Sequence, residues 1–340
     1  MYDKSVYSNP LISVVMPVYN DASYLNQAID SILYQTFSDF EFIIINDGST
    51  DNSFDIITSY EDPRIILLNN KTNLGISKSL NYGLGYVKGQ FVARMDASDI
   101  ALPKRFEKQI KYLKKEKGIG LVTCFHENIN PEGDSLDSTN RNIHPKDSQV
   151  YTFFRNYITH SSVMINLDII PEIKYNEDCA AEDFELWMRL SEKTEFYIIP
   201  TVLMKIRIDE NGLSQRNKIN CDSASKRIIN NILKRIGVDA NKREIDFHFQ
   251  YHKKYKYTSH EGEFILQYLE KLFIGNQNSK VFRESSFSDF IFANWFHVIK
   301  YIDKINIRLL FIILRSELFY CKNNKSKFFF MRVLFNKVQI

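Results

Sequence analysis

Glycine is sparse, 12 residues in 340, and never takes the spacing GxGxxG or GxxxxGKS/T. A dinucleotide fingerprint and a P-loop are thereby excluded, because both rest on glycine amides that cradle phosphates. Cysteine is scarcer still. Its four copies (Cys124, Cys179, Cys221 and Cys321) are scattered with no CxxC pair, so neither a zinc site nor a disulfide framework is expected and a reducing cytosol suits the chain. The longest apolar stretches, such as LLFIIL at 309–314, fall far short of the ~20 residues that span a bilayer. The opening MYDKSVYSNP is polar rather than a charged-then-apolar leader. Secretion and transmembrane anchoring are therefore not expected.

What is present is a core. At 44% apolar, 340 residues can fill one large domain or two ordinary ones. The net charge of +3 conceals an asymmetry: residues 215–340 hold 23 Lys/Arg against 11 Asp/Glu, and the rest of the chain 21 against 30. An acidic front and a basic tail suggest different partners, with an anionic surface the natural one for the tail.

The first 125 residues alternate between β-branched runs and helical spacing. LISVVMPV (11–18), FEFIIIN (40–46), RIILLN (64–69), QFVARM (90–95) and IGLVTC (119–124) read as strands. SYLNQAIDSILYQ, NSFDIITSY, SKSLNYGLGYV and PKRFEKQIKYLKKE, which lie between them, read as helices. Such alternation predicts an α/β fold, a mostly parallel sheet with helices on both faces. Pro103 is expected in the first turn of its helix, and Asp51, after a turn at Gly48, as an N-cap. Residues 126–150 read as a polar excursion or two short antiparallel strands. After it come a strand at 160–170, a helix at 181–193 and one or two strands at 195–209. Beyond Ser214 the pattern is helical and rich in Lys, Phe and Tyr.

Three polar clusters fall at strand ends: PVYND (Pro17 to Asp21), NDGSTD (Asn46 to Asp51) and MDASD, which carries Asp96, Ser98 and Asp99. In a parallel α/β sheet, ligands bind outside the carboxyl ends of the strands. Alone, an Asp-Gly after a strand is a turn and Asp99 a loose helix cap. Three acidic strand ends in one sheet point instead to a shared crevice.

The ordered series ISVVMPVYN, AIDSILYQTF, FEFIIINDGSTDNS, NLGISKSLNYGL, GQFVARMDASDI, HSSVM and AEDFELWMRLS resembles the family 2 glycosyltransferases of the GT-A fold, over roughly residues 10–214. The resemblance implies a Rossmann-like catalytic domain at 1–214, with a nucleotide-sugar half at about 10–125 and an acceptor half at about 126–214. A basic, aromatic-rich helical region at 215–340 follows it. The implied activity is hexosyl or N-acetylhexosaminyl transfer, with inversion, from a nucleotide-sugar donor to a saccharide acceptor on a growing surface polysaccharide, lipid-linked or not. No nucleic-acid partner is expected.

Position by position, the resemblance puts Pro17, Val18 and Tyr19 beside the nucleotide. It sets Asp47 at the base, where a carboxylate accepts the N3–H of uracil or thymine and so favours a UDP- or dTDP-sugar. Its NxGxxxARN segment falls on Asn73, Gly75, Ser79, Leu80 and Asn81, with Leu80 at the arginine position. Lys78 then either meets the diphosphate or is a solvated helix lysine. The acidic motif, commonly Asp-x-Asp-Asp, has Ser98 where the carboxylate for Mn²⁺ or Mg²⁺ is expected, and a neutral hydroxyl is a poor ligand for a hard cation. Asp96 or Asp99 would then hold the metal, with Asp209 returning a carboxylate, or Lys78 and Arg94 would stabilise the diphosphate without one. Asp183 takes the role of general base. Glu182, Trp187 and His160 fall near the acceptor, Trp187 being either its floor or core.

The tail lies outside the family pattern. It is read as a helical domain with aromatics inward, or as a peripheral contact of a cytoplasmic enzyme with an anionic membrane. A catalytically degenerate nucleotide-sugar or glycan-binding member is the rival reading, prompted by Ser98 and Leu80. A nicotinamide oxidoreductase lacks its glycine fingerprint.

Overall fold

The protein is described here by a computed structural model covering residues 9–140, 142–208, 217–250, 254–320 and 337. Two compact units divide the chain: 1–152 with 156–224, and 153–155 with 225–340. The first unit alternates β1 (Ile12–Val18), α1 (Ala22–Leu33), β2 (Phe40–Asn46), α2 (Ser53–Thr58), β3 (Ile65–Asn69), α3 (Ile76–Leu84) and β4 (Phe91–Arg94). It continues through β5 (Ile100–Ala101), α4 (Arg105–Lys115), β6 (Ile119–Ile129), β7 (Ser135–Ser138), α5 (Ser148–Phe154), β8 (Met164–Asn166), α6 (Glu182–Ser191) and β9 (Glu195–Arg207).

Period-two alternation explains why the sheet is covered on both faces. Ile12, Val14, Met16 and Val18 of β1 join Phe40, Phe42 and Ile44 of β2 in a core capped by α1, α2 and α4. The intervening Val15, Ile43 and Ile45 face the opposite way, into a second core with Leu80 of α3 and Leu186, Trp187 and Leu190 of α6. Each fully buried aliphatic side chain contributes about 1.5–3 kcal/mol against exposure, before entropy is charged. A one-residue slip would exchange the two cores, so register is firmly set.

The strand order among the described residues is β3-β2-β1-β4-β8-β6-β9-β5, with β7 paired to β6. β1 pairs in parallel with both β2 and β4, and β6 in parallel with β9. The three-residue β8 runs antiparallel between β4 and β6. Six of the nine described strands thus share one direction, and β5, β7 and β8 oppose it. The chain steps outward from β1 to β3 and returns to β4 on the other side of β1. That reversal opens a crevice at the carboxyl ends of β1 and β4.

Several local expectations shift. The 160–170 segment forms a 3₁₀ turn at His160–Ser162 before the short β8. α4 begins at Arg105 with Lys104 as its N-cap, so Pro103 lies outside the first turn; its carbonyl accepts Thr36 N at 2.8 Å instead. Asn52, not Asp51, occupies the N-cap position of α2, without a side-chain capping bond. Asp51 instead accepts from Ser53 N and Ala22 N, both at 3.0 Å, tying the starts of α2 and α1 together.

The second unit is helical. Its elements are α7 (Lys218–Arg235) from residue 225 onward, α8 (Lys242–Phe249), α9 (Ser259–Ser279), α10 (Glu284–Tyr301), α11 (Ile307–Arg315) and α12 (Glu317–Tyr320). Capping boxes at Asn241/Glu244 and Thr258/Glu261 start α8 and α9. Its aromatics turn inward: Tyr268, Phe273, Phe282, Phe287 and Trp295 are buried. No helix among the described residues is long and apolar enough to cross a membrane.

Gly48 generates a prediction. Its φ is +67°, and an added Cβ would lie 2.5 Å from the Thr72 carbonyl carbon. Gly48→Ala is therefore expected to destabilise the first unit by about 2 kcal/mol or more, the left-handed penalty plus a backbone shift. Urea unfolding in a Trp295→Phe background, where Trp187 alone fluoresces, measures it.

Candidate active site

The ends of β1 and β2 lie side by side. Val18 pairs with Asn46, and Asp47 N donates to Val18 O at 2.8 Å. Their loops are laced by Asn20, whose Oδ1 accepts Thr50 N at 2.8 Å and whose amide donates to Ser49 Oγ at 3.1 Å. Pro17, Val18 and Tyr19 therefore border the crevice, with the Tyr19 ring exposed. Asp47 is 3% exposed. It accepts from Asn70 Nδ2 (2.8 Å) and Leu74 N (2.9 Å) on Oδ1, and from Gly75 N (2.9 Å) on Oδ2. The acid thus folds the segment of Asn73 and Gly75 back over the β2 end. Asn73 and Lys78 are exposed there, whereas Leu80 is core and Asn81 is bonded to the backbone of Tyr175.

Across the crevice, β4 ends on Arg94, in register with Val15 of β1. Its side chain is only 4% exposed and is ion-paired through Nη1 with Asp96, which is 38% exposed. The Arg94 Nε has no hydrogen-bond partner among the described residues. Asp99 is buried, with Oδ2 accepting Ser161 Oγ at 2.5 Å and Oδ1 accepting Arg207 N at 3.0 Å. Burial, then the Asp96 charge, pushes its carboxyl above the ordinary range.

Arg207 fastens this loop. Nε donates to Ser98 O (3.1 Å), Nη1 to Asn130 O (3.1 Å) and Pro131 O (2.6 Å), and Nη2 to Gln27 Oε1 (2.9 Å); the guanidinium also lies over the Tyr24 ring. These donors are spent on the fold and are not available to a ligand.

The third wall is the start of α6. Asp183 accepts from Asn156 Nδ2 (3.2 Å) and Phe184 N (2.6 Å). Burial raises its pKa; these two bonds and the Arg94 charge oppose the rise. Burial, then the charge of Asp183, pushes Glu182 up to about 7, and burial above all lifts Asp21 to about 6. His160 Nε2 meets Tyr175 Oη at 2.7 Å, and burial, then Arg94, holds its pKa well below normal, so the ring is neutral. Arg94 and Asp96 act electrostatically on Asp21, Asp99, Glu182 and Asp183 alike. Acids from β1, β4 and α6 therefore face one space.

Two expectations are corrected. Trp187 is 0% exposed within the second core and offers no face to an acceptor. Asp99 is not an open metal ligand: it is 3% exposed, and each oxygen already accepts one protein donor. Asp209 lies outside the described residues. With Ser98 neutral and Asp96 paired to Arg94, the β4 loop offers a divalent cation few open carboxylates, and no group of three candidate ligands exists among the described residues. Asn156, Tyr175 and the stapling role of Arg207 were not legible beforehand, since no local pattern marks them.

The family model described as Glycosyl transferase family 2 matches residues 13–172. An uncharacterized glycosyltransferase of Methanocaldococcus jannaschii is 36% identical over 218 residues, 62% of this chain and 75% of that protein. The fold matches Staphylococcus aureus TarS 1–349 in complex with UDP-GlcNAc, with a TM-score of 0.55 and 16% identity over 86% of this chain and 84% of that one. It also matches the mannosyltransferase PcManGT of Pyrobaculum calidifontis in complex with GDP-Man and Mn²⁺, with a TM-score of 0.53 and 15% identity over 84% and 74%. The fold is that of a transferase of the GT-A type. The chain belongs to the family 2 glycosyltransferases and is a glycosyltransferase.

Arg207→Ala is expected to loosen both loops it holds. Hydrogen exchange in peptides covering 95–101 and 128–135 should accelerate about tenfold or more, as expected when several buried carbonyls lose a charged donor.

Proposed function

We propose that the chain is an inverting glycosyltransferase that moves a sugar from a UDP- or dTDP-sugar to an acceptor hydroxyl, with Asp183 as general base. The observation that carries this reading is the convergence of Asp21, Asp96 and the Glu182–Asp183 pair on one crevice at the β1/β4 reversal. That TarS is seen with UDP-GlcNAc supports a uridine donor. The nucleotide lies along the backbone of Pro17, Val18 and Tyr19. Asp47 Oδ2, with one protein partner, keeps a lone pair for the N3–H of a pyrimidine. Asn73 and Lys78 stand on the exposed rim toward the diphosphate, and Asp96 on its inner side.

Transfer follows from the third wall. The acceptor oxygen attacks the anomeric carbon as the bond to the diphosphate oxygen breaks. The nucleoside diphosphate departs with the bonding pair, and the hydroxyl proton passes to Asp183. Asn156 and the Phe184 amide orient the carboxylate and favour its charged form. Glu182 and the neutral His160 border the acceptor.

Nucleotide release from a panel of nucleotide sugars and saccharide acceptors tests the reading. Asp183→Asn should lower turnover by about 10²–10⁴-fold while donor binding persists in a thermal-shift assay. Unchanged turnover refutes the base, and donor binding without turnover in the wild type favours a degenerate binding protein. The pH profile adds a signed test. A base must be deprotonated, so turnover falls on the acidic side of a pKa raised by burial. Asn156→Ala removes a bond that favours the charged form, so the acidic limb should move to higher pH.

The acceptor proposed is a growing surface polysaccharide at the cytoplasmic leaflet, approached through the basic 215–340 region. The full chain should then float with anionic but not neutral vesicles and be released by high salt. Failure to float with either removes the membrane contact.

A further inference from the structure

The acidic loop after β4 has its charge balanced by the protein itself. Resting on the nucleotide-sugar donor reading above, we propose that Arg94 is the standing cation of the donor site, so that the nucleoside diphosphate binds without Mn²⁺ or Mg²⁺.

The first support is the state of the loop's ligands. The segment that the family pattern fills with three carboxylates presents one accessible carboxylate, Asp96, and that one is already paired with Arg94. Asp99 is 3% exposed and bonded to Ser161 and Arg207, one donor on each oxygen, and Ser98 carries no charge. A dication at Asp96 would share that carboxylate with a guanidinium that is 4% exposed and paired to Oδ1, and the two cations would repel. A buried charge deprived of its partner is strongly unfavourable, so the pair resists separation.

The second support is where the guanidinium lies. Leu80, at the helix position where the resemblance expects an arginine, lines a void of about 10 Å³ together with Arg94 and Tyr175. Arg94 thus brings a positive charge from β4 to a void that Leu80 also lines. Nε remains without a hydrogen-bond partner among the described residues, so Asp96 does not saturate the fork. Inside a poorly solvated wall this charge acts at longer range than an exposed lysine could.

Calorimetric titration of UDP into the full chain, with EDTA and with Mn²⁺, decides the matter. The expected result is two dissociation constants within about threefold of each other, a difference well under one tenfold step of 1.4 kcal/mol. Ser98→Asp restores a third carboxylate and should make UDP binding about tenfold or more tighter in Mn²⁺ than in EDTA. Arg94→Met should weaken UDP binding in EDTA by about tenfold to a hundredfold, the loss of one charge-assisted interaction, and Arg94→Lys by less. Should Arg94→Met fail to fold, the wild-type and Ser98→Asp comparisons still decide. A wild-type affinity that drops tenfold or more in EDTA overturns the proposal, as does a folded Arg94→Met chain that binds UDP normally. If the wild type binds none of UDP, dTDP and GDP in either buffer, the donor reading itself fails and the proposal with it.

Discussion

The parallel pairing of β1 with β4 is the constraint on which the site depends. It places Val15 opposite Arg94, so the loops that follow each strand emerge side by side with Asp21 on one and Asp96 on the other. Because the chain reaches β4 only after travelling out to β3 and back, the connections from these two strand ends leave in opposite directions. The same pairing buries Arg94 under its loop. Burial strips the guanidinium of water, and Asp96 is the nearest charge able to compensate it.

Much of the polar chemistry around this crevice serves the fold first. Asp47, Asn81 and Arg207 look like binding residues by type and position, yet each bonds to backbone groups of a neighbouring loop. A loop wall must satisfy its buried amides and carbonyls, and side chains on adjacent strand ends are the partners within reach. Arg207 gives four of its five N–H donors to such groups. Asp47 bonds Asn70, Leu74 and Gly75 and so shapes the wall, with only one of these donors on Oδ2.

The strand and helix runs of the first unit were legible because hydrophobic periodicity follows directly from which face is buried. β1 and β2 fall within a residue of their apolar runs, and the change from period 2 to period 3.6 marks each helix between them. Termini were read less well. Pro103 and Asp51 both carry the right chemistry for a helix start but stand one or two residues outside it, since local propensity competes there with bonds to Thr36 and Ala22. Trp187 shows the limit of periodicity: it shares a helical face with Asp183, but the face turns inward by the fourth residue.

From the sequence by itself came the two faces of the sheet, the acidic strand ends, the basic tail and Ser98 in place of a carboxylate, all carried by residue type and spacing along the chain. Only the tertiary structure decided that Asp99 is bonded to Ser161 and Arg207, that Asp183 is held by Asn156, and that Arg94 faces Asp96 beneath Leu80. Most of these contacts join residues that no local pattern relates. The availability of a charged group depends on which partner reaches it, and that is fixed when the strands pair.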